Sequence, residues 1–216
     1  MDLKDFPYRA PTPEEKRVEV YYALAAGAKA LSYWWYTPFG EYYGCGGSDR
    51  ASKVLWKELG LLGAEVRSAE TVLLRSCPAA VPVKAPRTLW VRSLLAGDDA
   101  MAPLIVNDNF ASDRLGTVVR PMEKASVKVR PPSWLACGDV FEMTCEGTRD
   151  VKWQAERGAL TLDLGTVQLT RFVLISRDSA LRGQVQRVYD TRFAANVKAL
   201  LSGATGKQGR SDETGG

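Results

Sequence analysis

The stretch of this chain richest in side chains that could do chemistry lies between residues 33 and 47, where aromatic residues are followed by glycines. Its aromatic members are Tyr33, Trp34, Trp35, Tyr36, Phe39, Tyr42 and Tyr43, and its one acidic residue is Glu41. The whole sequence contains no histidine, which excludes triads with a histidine base and metal sites held by histidine. Any catalysis would therefore have to use carboxylates, lysine, tyrosine or cysteine.

The composition excludes several classes of protein. Hydrophobic residues make up 45% of the chain, which is enough for a core. The 29 basic and 25 acidic residues are mixed along the sequence, and no run of like charges predicts binding to nucleic acid. No apolar run is long enough to span a membrane, and the first residues lack the apolar region of a signal peptide. Localisation stays open.

The four cysteines give no sign of a metal site. Cys45, Cys77, Cys137 and Cys145 form no C-x-x-C pair, so neither a metal nor another cofactor is predicted. Free, mostly buried thiols are favoured over one or two disulfides.

The first part of the chain has the pattern of a helix, a strand and a second helix. Residues 12–26 predict a helix, because Thr12 and Glu15 form a capping-box pattern and Pro13 suits the first helical position. Residues 28–36, AKALSYWWY, predict a buried strand. Residues 50–76 carry apolar side chains at helical spacing and predict the second helix. The aromatic residues would then lie at the end of the strand and in the loop after it.

The sequence pattern changes near residue 78, where three prolines within nine residues predict a domain boundary. Seven short segments of β-strand character follow, separated by turn residues, and predict an antiparallel β-sandwich. These segments cover residues 88–97, 103–110, 125–132, 139–145, 151–156, 159–165 and 167–177. An apolar stripe over 179–203 predicts a C-terminal helix, and the small polar residues 204–216 predict a disordered tail.

The segment PYRAPTPEEKRVEVYYALAAGAKALSYWWYTP resembles the last turns of the (β/α)8 barrel in glycoside-hydrolase-like proteins of the β-galactosidase type. In that family a helix opening with P-T-P-E-E runs into a final strand of the form G-A-K-x-x-x-Y-W. Residues 54–75 resemble the closing barrel helix, and residues 80–178, with PPSWL, DVFE, LDLG and TRFVL, resemble the accessory β-sandwich that follows the barrel.

The resemblance implies an α+β fold: a helix–strand–helix remnant of a (β/α)8 barrel, followed by an antiparallel β-sandwich and a C-terminal helix. The implied domains are 1–77 for the terminal βα portion of the barrel, 78–178 for the sandwich, 179–203 for the C-terminal helix and 204–216 for the disordered tail.

The resemblance also implies that the aromatic cluster lies at the rim of a barrel active site, where sugar rings stack on aromatic faces. The substrate-binding residues would be Trp34, Trp35, Tyr36, Tyr42 and Tyr43. Glycoside hydrolysis needs two carboxyl groups, and the family carries them on earlier strands that this chain does not contain. Glu41 alone is a weak catalytic candidate, so the chain by itself is expected to be inactive.

The predicted function is that of a C-terminal fragment of a carbohydrate-active protein whose partner is carbohydrate and whose parent could be secreted. Such a fragment would expose apolar barrel surface and self-associate. The alternative is a standalone, non-catalytic carbohydrate-binding or interaction module, in which residues 12–76 fold back as helices over one face of the sandwich. Trp90, Trp134 and Trp153 are expected to pack in cores or between domains.

Overall fold

The computed structural model describes residues 11–33, 47, 49–113 and 116–203. The helices are α1 (Pro13–Ala25), α2 (Arg50–Ser68), α3 (Glu70–Leu74), α4 (Leu181–Arg192) and α5 (Ala194–Ser202). The strands are β1 (Ser76–Ala79), β2 (Val83–Lys84), β3 (Leu89–Ala96), β4 (Ala100–Asn107), β5 (Phe110–Asp113), β6 (Gly116–Val119), β7 (Met122–Val129), β8 (Asp139–Thr144), β9 (Gly147–Asp150), β10 (Lys152–Glu156), β11 (Ala159–Val167) and β12 (Thr170–Ser176).

The first helix begins as its sequence predicts. The Thr12 hydroxyl accepts a hydrogen bond from the Glu15 N–H at 3.3 Å, and the Glu15 carboxylate accepts one from the Thr12 N–H at 2.8 Å. This capping box satisfies two donors that the first turn would otherwise leave unpaired. The second helix starts after Asp49, whose carboxylate accepts from the Ser52 N–H at 2.9 Å. It ends at Ser68, well before the predicted residue 76, and the short α3 leads into β1.

The strand predicted over 28–36 is not formed in its described part. Residues 28–33 are neither helix nor strand, and no described strand pairs with them. A lone extended segment has unpaired backbone groups on both sides, so it gains little from strand geometry. The Lys29 ammonium instead donates to the Leu73 carbonyl at 2.6 Å and to the Ser76 hydroxyl at 3.0 Å. These contacts hold the segment against the end of α3.

Two antiparallel sheets form the sandwich. The larger has six strands in the order β1-β3-β4-β12-β8-β9, and the smaller has four in the order β10-β11-β7-β2. Strands β5 and β6 form a separate hairpin. Each of the seven predicted strand segments overlaps at least one observed strand, which confirms the antiparallel sheet content. The five strands that the sequence did not predict are short: β1, β2, β5, β6 and β9.

The six-stranded sheet is buried on both faces. Along β12, Val173 and Ile175 face the four-stranded sheet, whereas Phe172 and Leu174 join a second core that includes Tyr21 of α1 and residues of α2, α3 and α4. The described chain therefore has three layers: helices, the six-stranded sheet and the four-stranded sheet. The helices lie over one face of the sandwich.

The C-terminal helix is interrupted at Phe193, so the predicted single helix is two helices, α4 and α5. Leu61 and Ala64 of α2 pack with Tyr189 of α4 and Val197 of α5 in a small cluster. The predicted tail, residues 204–216, lies outside the described residues. No helix among the described residues is both long and apolar enough to cross a membrane.

The tryptophans of the sandwich differ in their surroundings. Trp90 packs against the helix-side core, with its ring 4.8 Å from that of Tyr22 in an edge-to-face arrangement. Trp153 packs against the core between the sheets. Trp134 is 47% exposed, so the expectation of core packing is wrong for this residue. The three cysteines among the described residues are free thiols, and Cys77 is exposed rather than buried.

Candidate functional site

The sugar-binding residues predicted from the sequence fall beyond the part of the chain that the structure describes. They are Trp34, Trp35, Tyr36, Tyr42 and Tyr43, together with the weak catalytic candidate Glu41. The described chain that leads to them ends at Leu31 and Tyr33, whose side chains are exposed. Residues 28–33, which precede this segment in the sequence, border an exposed surface.

That surface is an apolar groove between α1, α2, α3 and residues 28–33. Its volume is about 290 Å³. Its apolar wall comes mainly from Leu24, Leu62, Val66, Leu73 and Leu74. Leu74 is 61% exposed, so the groove places apolar side chains at the surface.

Ion pairs of Arg17 join α1 to α2, and a hydrogen bond from the same side chain reaches the larger sheet. Its Nε lies 2.7 Å from the Glu58 carboxylate, and its Nη1 lies 3.0 Å from Glu65 Oε2. The Tyr21 hydroxyl donates a short hydrogen bond to Glu65 Oε1, and Arg17 Nη1 also donates to the Thr170 hydroxyl of β12 at 3.3 Å. Helices α1 and α2 are thus tied to each other and to a central strand.

A second set of ion pairs lies within the six-stranded sheet, near Arg17. Glu142 of β8 is contacted by Arg149 Nη2 at 2.6 Å and by Arg171 Nε at 3.1 Å. Its side chain is only 4% exposed. We call the combined set the polar seam: Arg17, Tyr21, Glu65, Glu142, Arg149 and Arg171, which line a cavity of about 520 Å³.

The polar seam is chemically suited to a structural role. Each buried glutamate is engaged by arginine, and Glu65 also accepts from a tyrosine, so both carboxylates are committed to fixed partners. A glycosidase acid or nucleophile must instead face the bond that it cleaves. Removing one partner of a buried pair leaves an uncompensated charge. The contacts of Glu65 therefore join α1 to α2, and those of Glu142 join β8, β9 and β12. The hydrogen bond from Arg17 to Thr170 links the helices to the six-stranded sheet.

Burial controls the protonation of the seam. It raises the pKa of the Glu142 carboxyl, and the guanidinium groups of Arg171 and Arg149 only partly offset this effect. Burial and the neighbouring Glu65 carboxylate raise the pKa of the Tyr21 hydroxyl well above its ordinary value. Burial alone would lower the pKa of Arg17, but Glu65, Tyr21 and Glu58 raise it overall. At neutral pH Tyr21 is therefore a neutral donor and Arg17 a cation.

The raised pKa of Glu142 gives a pH-dependent prediction. The folded chain holds this proton more tightly than the unfolded chain, so the stability contributed by the group is present at low pH and lost as the pH rises through the folded pKa. Glu142→Gln removes the titration. The wild type should therefore gain stability relative to the variant as the pH is lowered from about 7 to about 4. Urea unfolding of both proteins at several pH values measures this, and a constant or reversed difference would contradict it.

The described fold is similar to part of a known structure. That structure is a cycloisomaltooligosaccharide glucanotransferase from Paenibacillus sp., complexed with cycloisomaltoheptaose, at a TM-score of 0.53 and 12% identity. The match covers 76% of this chain and 27% of the glucanotransferase. The chain shares its fold with part of a carbohydrate-active enzyme. Another match, α-L-fucosidase isoenzyme 2 from Paenibacillus thiaminolyticus, has a TM-score of 0.35 and 13% identity, and covers 58% of this chain and 18% of that one.

The sequence itself matches no protein-family model and no curated protein. The likeness to the glucanotransferase, at 12% identity, therefore concerns the fold. This chain spans 27% of the length of that enzyme.

Sequence reasoning missed the polar seam. Glu65 interrupts the apolar stripe of α2, and Glu142 stands among apolar neighbours in β8. A single charge at a core-facing position is the signal that could have found both residues, because such charges are buried only when paired.

Proposed function

We propose that this chain is the C-terminal, helix-and-sandwich part of a carbohydrate-active, glycoside-hydrolase-like protein. It would contribute sugar-stacking aromatic residues and an accessory β-sandwich, while the catalytic carboxylate pair would belong to other parts of the parent. The observation that carries this proposal is the fold shared with part of the glucanotransferase over 76% of the chain.

Two features of the described residues support the proposal. The first is the apolar groove, which lies directly before the aromatic segment and offers apolar surface for further barrel elements. The second is that both buried glutamates of the polar seam are engaged by arginines. The chain then supplies substrate contacts and support rather than the acid and the nucleophile.

Binding of a soluble oligosaccharide tests the aromatic residues. Isothermal titration with cycloisomaltoheptaose and with linear glucans should show binding that weakens at least about tenfold in the double variant Trp34→Ala/Trp35→Ala, because large aromatic side chains dominate such contacts. Trp134→Ala is the matched control, since this indole is 47% exposed but lies in the sandwich. Binding that survives the double variant, or that falls equally in the control, would count against the proposal.

One observation favours the second candidate, a standalone non-catalytic carbohydrate-binding or interaction module. Helices α1, α2 and α3 share one continuous core with α4 and the six-stranded sheet, as expected if the N-terminal residues fold back over the sandwich. Size-exclusion chromatography and dye binding separate the two candidates. A module should be monomeric, should unfold cooperatively and should bind no hydrophobic dye, whereas a barrel fragment should bind dye through its exposed groove and self-associate.

A further inference from the structure

The outward face of the four-stranded sheet carries a hollow that the proposed function does not use. The described helices cover the other sheet, so the outward side chains of β7, β10 and β11 stand open. Over these three strands lies a hollow of about 670 Å³, which we call the outer cleft. It is on the opposite side of the sandwich from the polar seam.

The strand register places polar side chains in rows across the floor of the outer cleft. Lys152 of β10 lies opposite Asp163 of β11, which lies opposite Ser126 of β7. The next row along β10 begins with Gln154, opposite Thr161. Neighbouring strands are about 4.8 Å apart, and successive outward residues on one strand are about 7 Å apart. These spacings are close to the dimensions of a pyranose ring and its substituents.

One end of the outer cleft is shaped by an irregularity in the sheet. The pairing of β11 with β7 shifts register around Gly165, which has a φ of 59°, and Lys124 opposite the same region has a φ of 51°. The Gly165 N–H donates to the Asp163 carboxylate at 3.1 Å, which orients that acid. The Thr166 hydroxyl donates to Glu123 at 2.5 Å and closes this end. A bulge of this kind redirects side chains locally.

Four side chains on the floor of the outer cleft have unpaired hydrogen-bond donors and acceptors within the described structure. Among the described residues, the side chains of Ser126, Lys152, Gln154 and Thr161 have no hydrogen-bond or ion-pair partner. Together with Asp163 they offer an ammonium donor, an amide donor and acceptor, two hydroxyls and a carboxylate acceptor. Adjacent sugar hydroxyls, each both donor and acceptor, match such a mixture.

Charge and polarity select the class of ligand. Lys124 and Lys152 are balanced by Glu123 and Asp163, so the outer cleft has no net charge to attract a polyanion or a polycation. Trp153, which packs against the core between the sheets, also lines the outer cleft and adds an aromatic side chain to its polar ones. We infer that the outer cleft binds a neutral oligosaccharide chain through side-chain hydrogen bonds, at a site separate from the aromatic segment.

The test uses the whole chain and a variant that should not disturb folding. Lys152→Ala/Gln154→Ala removes two exposed side chains that have no partner within the described structure. Lys198→Ala/Gln168→Ala removes the same two residue types from exposed positions elsewhere. Affinity electrophoresis in native gels containing dextran, soluble starch, xylan or galactomannan measures binding to neutral polysaccharides. At least one polysaccharide should retard the wild type, and the apparent dissociation constant should rise about tenfold or more in the cleft variant alone.

Three results would overturn the inference: no retardation of the wild type by any of the four polysaccharides, equal retardation of the wild type and the cleft variant, or equal loss in the cleft variant and its control. Trp34→Ala/Trp35→Ala separates this inference from the proposed function. If that variant loses binding while the cleft variant keeps it, the aromatic site stands and the outer cleft does not. If the reverse is observed, the outer cleft stands without the aromatic site.

Discussion

Replacement of Glu65 by alanine is expected to lower the free energy of unfolding by about 3–5 kcal/mol, the range typical of a broken buried ion pair. The Glu65 side chain is 4% exposed and accepts from both Arg17 and Tyr21. Its removal leaves the buried Tyr21 hydroxyl without this acceptor and removes one of the two carboxylates beside Arg17. The effect should be larger than that of a surface pair because the Glu65 side chain is almost fully buried.

Chemical unfolding in urea measures this loss. Glu19→Ala is the matched control, since Glu19 is also a glutamate in an ion pair, with Lys16, but its side chain is 59% exposed. The control should change stability by less than about 1 kcal/mol. If the two variants are equally stable, the buried contacts of Glu65 with Arg17 and Tyr21 do not hold α1 against α2. Increased dye binding by the Glu65 variant would indicate that the helix-side core opens.

Truncation of Phe172 should cost about as much, roughly 3–5 kcal/mol, by a different mechanism. Phe172 is fully buried at 0% exposure in β12, between β4 and β8, and it faces the helices. The change to alanine removes a ring from the centre of the core that joins helices and sheet. The cavity that remains cannot be filled without moving a central strand.

Thermal and urea unfolding of Phe172→Ala test this second effect. Val118→Ala is the control, because Val118 is also an apolar strand residue but is 65% exposed, and it should change stability by about 0.5 kcal/mol or less. A loss in Phe172→Ala below about 1 kcal/mol would show that the helices contribute little to this core.

Local signals predicted much of the fold. The Thr12–Glu15 capping box locates the start of α1, and turn residues between short apolar runs locate the main strands. The layer order was harder to predict from the residues. Strands β4 and β12 are almost entirely buried, so their apolar runs do not distinguish a sheet with one covered face from a sheet with two. Which elements cover the second face depends on long-range contacts.

The polar seam shows why the site could not be assembled from the sequence. Arg17 and Glu65 are 48 positions apart and Arg17 and Thr170 are 153 apart, so no local spacing links them. The strand predicted over 28–36 is not formed over its described residues, 28–33, for a related reason. Its apolar, aromatic composition favours a strand, but a strand forms only beside a partner, and the described residues provide none for 28–33.

The edges of the six-stranded sheet have a consequence for how copies of the chain could associate. At one edge, β1 contains Pro78, which has no N–H to donate to an incoming strand. At the other edge, the Thr148 N–H of β9 is already bound by the Gln186 side chain of α4 at 2.7 Å. Open edges are the usual templates for uncontrolled sheet extension and fibre growth. Each edge of the larger sheet thus lacks one free backbone donor, which disfavours pairing of that edge with a second copy of the chain.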